Sequence, residues 1–156
     1  MEYELCQYLG FDEPTEKTYY EWQQHFSYDG ELKAEHENAM FDKFGSTMIT
    51  DFPEFTSPFW NMSRYEQGDT SKKIDVILGG METIGSAERS TDVEQMRDTF
   101  HTITDGAYAN LLFDLFGKER VVAELEEFLK FDFFPRVGGG IGMTRMIAAL
   151  DKHAEN

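Results

Sequence analysis

The sequence predicts an α/β (α+β) fold in which an antiparallel sheet is flanked by helices. Three observations support this fold class. Apolar residues recur at helical spacing in the first 46 residues and again after residue 92. Between these regions, residues 47 to 84 form short β-branched and aromatic segments bounded by proline and glycine. The dipeptide Gly79-Gly80 between two of these segments is typical of a tight hairpin.

Three helices are predicted before the strands. Each contains apolar residues at helical spacing and is followed by a glycine or another turn signal. The predicted ranges are Glu2–Gly10, a second helix over residues 19 to 26, and Glu31–Phe44. Gly45 is a good C-cap for the third helix, because helices commonly end in a left-handed residue that glycine adopts easily.

Four strands are predicted in the middle of the chain. Their β-branched and aromatic residues favour extended structure. The predicted strands are Thr47–Phe52, Ser57–Met62, Lys72–Leu78 and Met81–Ile84. The last two strands form the hairpin that turns at Gly79-Gly80.

The last third of the sequence returns to helical periodicity. Asp92 predicts the N-cap of one helix, and a longer helical tract over residues 108 to 130 is predicted to break near Gly117. A glycine-rich segment at residues 137–142 leads into a final helix over residues 144–151. The aromatic run from residue 131 to residue 134 is predicted to lie in the core.

Composition limits the class of protein. The 156 residues suffice for one domain with a hydrophobic core, and 40% apolar residues are too many for a disordered chain. The 30 acidic and 14 basic side chains give a net charge of −16, so tRNA is not expected to bind this chain by itself. Cys6 is the only cysteine, which excludes an internal disulfide and a cysteine-based zinc cluster.

The chain is predicted to form a single domain over residues 1–156. Neither a repeat nor a linker divides it, and residues 1–46 form a helical lead-in to a strand-rich part at residues 47–150. An apolar run long enough to cross a membrane and a signal peptide are both absent from the sequence. We therefore expect no membrane association and a cytoplasmic location.

Two carboxylates, Asp75 and Glu82, lie on the two arms of the predicted hairpin. Mg²⁺ that bridges nucleotide phosphates takes one or two protein carboxylates together with phosphate oxygens and water. Surface strands also carry acidic residues routinely, so this pair alone does not decide between the two interpretations. Arg89 follows seven residues after Glu82 and can either clamp a carboxylate or form a surface ion pair.

A glycine-rich run precedes the final helix, and Arg145 lies at the start of that helix. Such glycines let a ligand approach the backbone, and the arginine can lie against a purine ring or a phosphate. The run lacks the Gly-Lys-Ser/Thr ending of a P-loop, and tight packing at a strand-to-helix turn explains it equally well. A second cluster, Glu35-His36-Glu37, lacks the second histidine of a metal motif and is interpreted as an exposed helix face.

Three segments, in this order and spacing, resemble the catalytic domain of class II aminoacyl-tRNA synthetases of the aspartyl/asparaginyl subgroup. Asp51-Phe52-Pro53, followed by Pro58-Phe59-Trp60-Asn61-Met62, resembles the subgroup's Phe-Pro and Pro-Phe-Tyr-Met strand pair. Lys73 to Arg89 resembles its Asp-Leu, Glu-Ile and Gly-x-x-Arg segment, and Gly138 to Arg145 resembles motif 3. The resemblance covers about residues 31 to 150.

Within the subgroup, the tripled glycine and Phe59-Trp60-Asn61 are similar to asparagine synthetases. These are the ammonia-dependent enzyme and the archaeal type related to asparaginyl-tRNA synthetase. The resemblance implies a ligase of asparagine biosynthesis that uses ATP and Mg²⁺. It would activate aspartate as an acyl-adenylate, which ammonia attacks to give asparagine, AMP and pyrophosphate.

The resemblance also implies roles for individual residues. Asp75 and Glu82 would hold Mg²⁺ and, through it, the ATP phosphates. Arg89 would bind a carboxylate of the amino acid, and Arg145 would stack on adenine and contact the γ-phosphate. The floor under the nucleotide would be formed by the glycines of motif 3, which are Gly138, Gly139, Gly140 and Gly142.

Two further class II motifs are not found in the sequence. They are motif 1, at the dimer interface, and motif 2, whose arginine grips the α-phosphate; Arg64 is the first arginine and already follows the Phe-Pro segment. The resemblance thus implies the C-terminal half of the catalytic core, working as a homodimer or with a partner chain that supplies both motifs. An aspartyl/asparaginyl-tRNA synthetase-like fragment and a non-catalytic nucleotide- or protein-binding paralogue are the alternatives.

Overall fold

The computed structural model describes residues 2–66 and 68–155, and it contains one five-stranded sheet with helices on both faces. The helices are α1 (Glu2–Tyr8), α2 (Tyr19–Phe26), α3 (Ala34–Phe44), α4 (Val93–Thr102), α5 (Ala107–Phe116), α6 (Lys118–Phe128) and α7 (Met143–Ala154). The strands are β1 (Thr15–Thr18), β2 (Thr47–Pro53), β3 (Thr70–Leu78), β4 (Met81–Arg89) and β5 (Arg136–Ile141). Short 3₁₀ helices cover Glu54–Thr56 and Ile103–Gly106.

The sheet is mixed, so the prediction of an antiparallel sheet is only partly correct. The strands follow the order β1-β2-β3-β4-β5, and every neighbouring pair is antiparallel except β1 and β2, which are parallel. The sequence analysis does not predict β1. This strand is four residues long and polar, so it lacks the apolar alternation by which a half-buried strand is identified.

The hairpin predicted at Gly79-Gly80 is confirmed. Both glycines have positive φ angles, of 62° and 91°, as a tight two-residue hairpin turn requires. Strand β4 runs to Arg89, five residues beyond its predicted end, because it pairs with β3 on one side and with β5 on the other.

The strand predicted over Ser57–Met62 is wrong. This segment is a loop in which the guanidinium of Arg64 donates hydrogen bonds to the carbonyl oxygens of Pro58, Phe59 and Met62, at 2.7 to 2.9 Å. An arginine that satisfies these backbone acceptors takes the place of a neighbouring strand. Aromatic composition alone therefore misled the prediction.

The predicted helix ends are largely confirmed. The backbone N–H of Gly45 donates to the carbonyl of Phe41 at the end of α3, and Asp92 caps α4 by accepting from the N–H of Gln95 at 3.0 Å. Gly117, with φ 84°, separates α5 from α6 as predicted. Helix α3 begins at Ala34, three residues later than predicted.

Side chains of β3 alternate between the two faces of the sheet. Val76 and Leu78 pack under α1 and α7, whereas Ile77 packs under α2 and α3. A third cluster joins α4, α5 and α6 around Trp60. None of the helices in residues 2–66 and 68–155 has the length and apolar character needed to cross a bilayer.

The C-terminal edge of the sheet is exposed. Strand β5 lies at the end of the strand order, and Val137 on this strand is 62% exposed. Phe131 and Phe134 are 67% and 69% exposed, so the prediction that their aromatic run lies in the core is wrong for these two rings. Phe133 alone among the three contacts the cluster around Trp60.

Candidate active site

The sheet brings together the residues that were predicted to form a site. Asp75 on β3 lies directly opposite Gly85 on β4, and Gly85 lies opposite Gly140 on β5. Residues opposite one another in neighbouring strands project to the same face. The floor of the candidate site is therefore a row of three residues across three strands. Two of them are glycines, so Asp75 supplies the side chain of this row.

The two predicted magnesium ligands converge on this row. A Cβ atom placed on Gly85 would lie 3.1 Å from Glu82 Oε1 and 3.3 Å from Asp75 Oδ1, so these oxygens are at most the sum of the two distances apart. Asp75 is 5% exposed, and its Oδ1 has no hydrogen-bond partner among the residues that the structure describes. A buried oxygen without a partner is costly unless a further group binds it.

This donor set suits Mg²⁺. Two carboxylates and open space beside them are what Mg²⁺ takes from a protein when phosphate oxygens and water complete its shell. Among residues 2–66 and 68–155, no group of three or more His, Cys, Asp or Glu side chains is placed to hold a metal ion. The remaining ligands would therefore have to come from the substrate and from water.

Asp75 is electrostatically strained. Its pKa is raised from an ordinary 3.8 to about 6 by burial and by the charges of Glu82 and Glu37, against the opposing effect of Lys73. Burial is the largest of these effects. A cation at Oδ1 of Asp75 would stabilise the ionised carboxylate, and so would offset both the burial and the repulsion from Glu82 and Glu37.

Two residues that the sequence analysis did not assign hold the carboxylates in place. Lys73 Nζ lies 2.5 Å from Asp75 Oδ2, and Glu37 Oε2 accepts a hydrogen bond from the backbone N–H of Glu82 at 3.0 Å. Glu37 is therefore part of the site, and the interpretation of Glu35-His36-Glu37 as an exposed helix face is wrong for this residue. No local motif in the sequence signals either contact.

A cavity of about 180 Å³ lies on this face, between the sheet and the segment that leads into α3. Carboxylates dominate its polar lining, and Lys73 is the one basic residue among those that line it. The acidic members of the lining are Glu31, Glu37, Asp75 and Glu82. This part of the site attracts cations.

The other end of β4 has the opposite character. The guanidinium of Arg89 donates to Asn61 Oδ1 at 3.2 Å and to the carbonyl of Gly138 at 3.1 Å, and no carboxylate among the described residues pairs with it. Burial, and then the neighbouring charge of Arg136, lower the pKa of Arg89. A half-buried arginine of this kind attracts an anion.

The motif 3 glycines differ in what surrounds them. A Cβ on Gly139 would lie 2.8 Å from the carbonyl oxygen of Gly85, and a Cβ on Gly138 would lie 3.1 Å from Arg89 Nε. A Cβ on Gly140 would meet nothing within 4 Å, so this glycine opens onto free space beside Asp75. Gly142 lies against Arg145, whose side-chain Cδ would be 3.4 Å from an added Cβ.

Arg145 lies beside Glu82. Its Nη1 donates to the backbone carbonyl of Glu82 at 2.8 Å and lies 3.8 Å from the carboxylate atom Oε2. The side chain is 54% exposed, so most of its donors remain free to bind a ligand. The side chains of Asp75, Glu82 and Arg89 thus lie on one face, and Arg145 reaches this face beside Glu82. Of the predicted glycines, Gly139 lies opposite Ser86 on the other face.

A larger cavity lies elsewhere. It measures about 510 Å³ and is lined largely by residues of the opposite face, including Glu2, Lys72 and Ser86. Its charged groups are paired within the chain: Ser86 donates to Glu2 at 2.6 Å, and Lys72 donates to Glu88 at 2.9 Å. We therefore place the candidate site on the face of Asp75 and not in this groove.

Comparison with known proteins identifies the family. The model of the family described as tRNA synthetases class II (D, K and N) matches residues 1–155. The chain belongs to this family. No curated protein matches its sequence.

Solved class II synthetases have the same fold. The chain is similar to asparaginyl-tRNA synthetase from Pyrococcus horikoshii, with a TM-score of 0.67 and 16% identity, over 91% of this chain and 33% of that one. It is similar to aspartyl-tRNA synthetase from Entamoeba histolytica, with a TM-score of 0.65 and 18% identity, over 88% and 29% of the two chains. Asparaginyl-tRNA synthetase from Entamoeba histolytica in complex with asparaginyl-adenylate gives a TM-score of 0.64 and 17% identity, over 94% and 35%. The chain spans about a third of the length of the synthetases it matches.

Proposed function

We propose that this class II synthetase domain takes part in ATP-dependent activation of aspartate. A side-chain carboxylate oxygen of aspartate attacks the α-phosphorus of ATP, and pyrophosphate leaves with the electrons of the broken phosphoanhydride bond. The nitrogen of ammonia then attacks the acyl carbon and loses a proton, and AMP leaves to give asparagine. Such a reaction depends on positioning and charge neutralisation and requires no protein nucleophile.

The observation that carries the proposal is the unpartnered Oδ1 of Asp75 beside Glu82 and the open floor at Gly140. In this proposal Asp75 and Glu82 hold Mg²⁺, which neutralises phosphate charge when bound. Arg145 binds the nucleotide, and Arg89 binds a carboxylate of aspartate through its free guanidinium edge. Gly140 leaves room for the nucleotide over β5.

A tRNA end is the second candidate acceptor. The matched structures are asparaginyl- and aspartyl-tRNA synthetases. With a tRNA acceptor, the α-carboxylate of the amino acid would attack the α-phosphorus of ATP in place of the side-chain carboxylate, with the same loss of pyrophosphate. The net charge of −16 favours ammonia for this chain alone, because an acidic surface repels the tRNA backbone. The acceptor would be identified by adding ammonia or tRNA to a competent adenylation reaction.

We further propose that a partner chain carrying motifs 1 and 2 completes the site along β5. Strand β5 is paired with β4 alone in the described sheet, and an unpaired edge is a template for a further strand. Val137 on this strand is 62% exposed. Light scattering of the purified chain would detect a homodimer instead, and co-purification would identify a separate partner.

The test of the proposed function is aspartate-dependent exchange of labelled pyrophosphate into ATP with Mg²⁺. We expect exchange from the complex that contains motif 2, and exchange that is lost in the Asp75→Asn variant of that complex. Exchange that does not depend on Asp75 would contradict the proposed site. ATP binding without any exchange in the complete complex would favour the non-catalytic paralogue.

A further inference from the structure

Lys73 places a fixed positive charge inside the carboxylate cluster. Its Nζ is 2.5 Å from Asp75 Oδ2 and 3.8 Å from the centre of the Phe52 ring. The Lys73 side chain is 24% exposed and that of Asp75 is 7% exposed, so the ion pair is shielded from solvent. Pairs of this kind interact more strongly than surface pairs, because water screens them less.

The ion pair uses one of the two carboxylate oxygens of Asp75 and leaves the other for a ligand. Its Oδ2 is bound by the Lys73 ammonium, whereas its Oδ1 has no partner in residues 2–66 and 68–155 and lies near Glu82 beside Gly85. Arg145 lies 3.8 Å from the Glu82 carboxylate, so each proposed magnesium ligand already has one protein cation beside it. The positive charges of Lys73 and Arg145 repel a free divalent cation that enters the site. A cation that arrives with polyphosphate brings negative charge that both basic side chains attract.

We propose that Lys73 is a built-in counter-ion that weakens the binding of free divalent cations, so that the site takes its cation together with a nucleotide. Lys73 also holds Asp75 with one oxygen directed at the cation, which makes it a positioning residue. This inference rests on the proposed magnesium site. The consequence is that the site binds the cation–nucleotide complex in preference to the cation alone.

Lys72 provides a matched control for Lys73. It is the adjacent residue on β3, it projects to the opposite face, and it makes the same two kinds of contact. Its Nζ lies 2.9 Å from Glu88 Oε1 and 5.5 Å from the Tyr65 ring. The same substitution at Lys72 therefore removes the same charge from the chain and leaves the site untouched.

The experiment titrates the purified full chain with Mn²⁺ and measures free Mn²⁺ by electron paramagnetic resonance, with and without ATP. We expect Lys73→Met to bind free Mn²⁺ about five- to tenfold more tightly than wild type, since one nearby positive charge is removed. The same variant binds Mn²⁺–ATP no more tightly than wild type. Lys73→Arg and Lys72→Met stay within about twofold of wild type for free Mn²⁺. Lys73→Gln repeats the charge removal with a polar side chain if the methionine variant does not fold.

Asp75→Asn separates the two levels of the proposal. If this variant keeps the wild-type affinity for Mn²⁺, the magnesium site is wrong and the role of Lys73 falls with it. If Asp75→Asn loses Mn²⁺ binding but neither Lys73→Met nor Lys73→Gln gains affinity, the site stands and the counter-ion role is overturned. An equal gain in Lys72→Met, or an equal gain for Mn²⁺–ATP, would also overturn it.

Discussion

The two ends of the β4 floor are built differently. At the Glu82 end, both proposed magnesium ligands have a protein cation beside them: Lys73 beside Asp75 on the same strand, and Arg145 of α7 beside Glu82. At the Arg89 end, four residues from Gly85 and roughly 13 Å along the strand, the hydrogen bonds of the guanidinium within the described part of the chain go to neutral groups. At one end each proposed ligand carboxylate has a protein cation beside it within an acidic surrounding, and the other end retains a positive charge.

This difference indicates two ligand charges on one surface. In the proposed function, the carboxylate end would accept a cation that carries its own negative groups, whereas the arginine end would attract a simple carboxylate. A nucleotide with Mg²⁺ and an amino acid would place these charges in that order. Substitutions at Arg145 and at Arg89 test the two ends separately.

The largest effect is expected at Arg145. We expect Arg145→Ala to weaken ATP–Mg²⁺ binding at least about 100-fold, because a charge-assisted contact to phosphate is lost. The free energy of unfolding should change by less than about 1 kcal/mol, since the side chain is mostly exposed. Calorimetric titration and thermal denaturation check both values. Arg120→Ala, which removes an exposed surface pair with Glu124, should leave ATP binding unchanged.

A somewhat smaller effect is expected at the arginine end. Arg89→Lys keeps the charge but loses the planar fork, so aspartate should bind roughly tenfold or more weakly. Its neighbour Arg136 directs donors to the carbonyls of Ser90 and Phe134, and Arg136→Lys should change aspartate affinity less than about threefold. Titration with aspartate measures both. Equal losses in the two variants would show that bulk positive charge, and not Arg89, binds the carboxylate.

The burial of Asp75 predicts a pH dependence of stability. Its pKa in the folded state is about 6, above the ordinary 3.8, so the folded chain holds this proton more tightly than the unfolded chain. Stability contributed by protonated Asp75 is therefore complete below about pH 4 and is lost as the pH rises through about 6. Relative to Asp75→Asn, the wild-type free energy of unfolding should fall by about 2 kcal/mol between pH 4 and pH 7 in EDTA. Denaturant unfolding at both pH values measures this, and a flat difference would contradict the burial argument.

The smallest effects distinguish two adjacent glycines. Gly139→Ala should lower the free energy of unfolding by about 1 to 3 kcal/mol, because its Cβ would meet a backbone oxygen at 2.8 Å. Gly140→Ala should be neutral or stabilising by a few tenths of a kcal/mol, because its Cβ has open space. Gly140→Val should weaken ATP binding a few-fold without unfolding the chain. A folding defect in Gly140→Ala would argue that this glycine packs and does not form a nucleotide floor.

The parts of the structure that could be predicted from the sequence depend on short-range signals. The turn at Gly79-Gly80 and the caps at Gly45 and Asp92 each follow from one or two residues whose conformational preferences are strong. Asp75 and Glu82 are identified as candidate site residues because they lie on either side of the predicted turn, and Arg89 follows seven residues after Glu82. A regular hairpin would not place all three on one face, because Glu82 and Arg89 are seven residues apart on one strand. The register shift between Val76 and Ile77 brings Gly85, and with it Arg89, to the face of Asp75 and Glu82.

The remaining features arise from contacts between distant segments. Glu37 reaches the backbone of Glu82 across 45 residues, and its helix carries no motif for this contact. In the sequence, Lys73 and Asp75 look like any pair of charged residues on a surface strand. The surrounding elements bury this pair, and that burial cannot be predicted from the two residues alone. The strand expected at residues 57–62 failed because Arg64, a residue outside it, satisfies its carbonyls.

The most direct test of the central claim is calorimetric titration of the purified chain with ATP, in Mg²⁺ and in EDTA, for wild type and Glu82→Gln. If the carboxylate end holds the nucleotide through a cation, wild type binds ATP in Mg²⁺, and binding falls at least about tenfold in EDTA or in the variant. Binding of equal strength in EDTA and in Glu82→Gln would show that Asp75 and Glu82 do not form the nucleotide site.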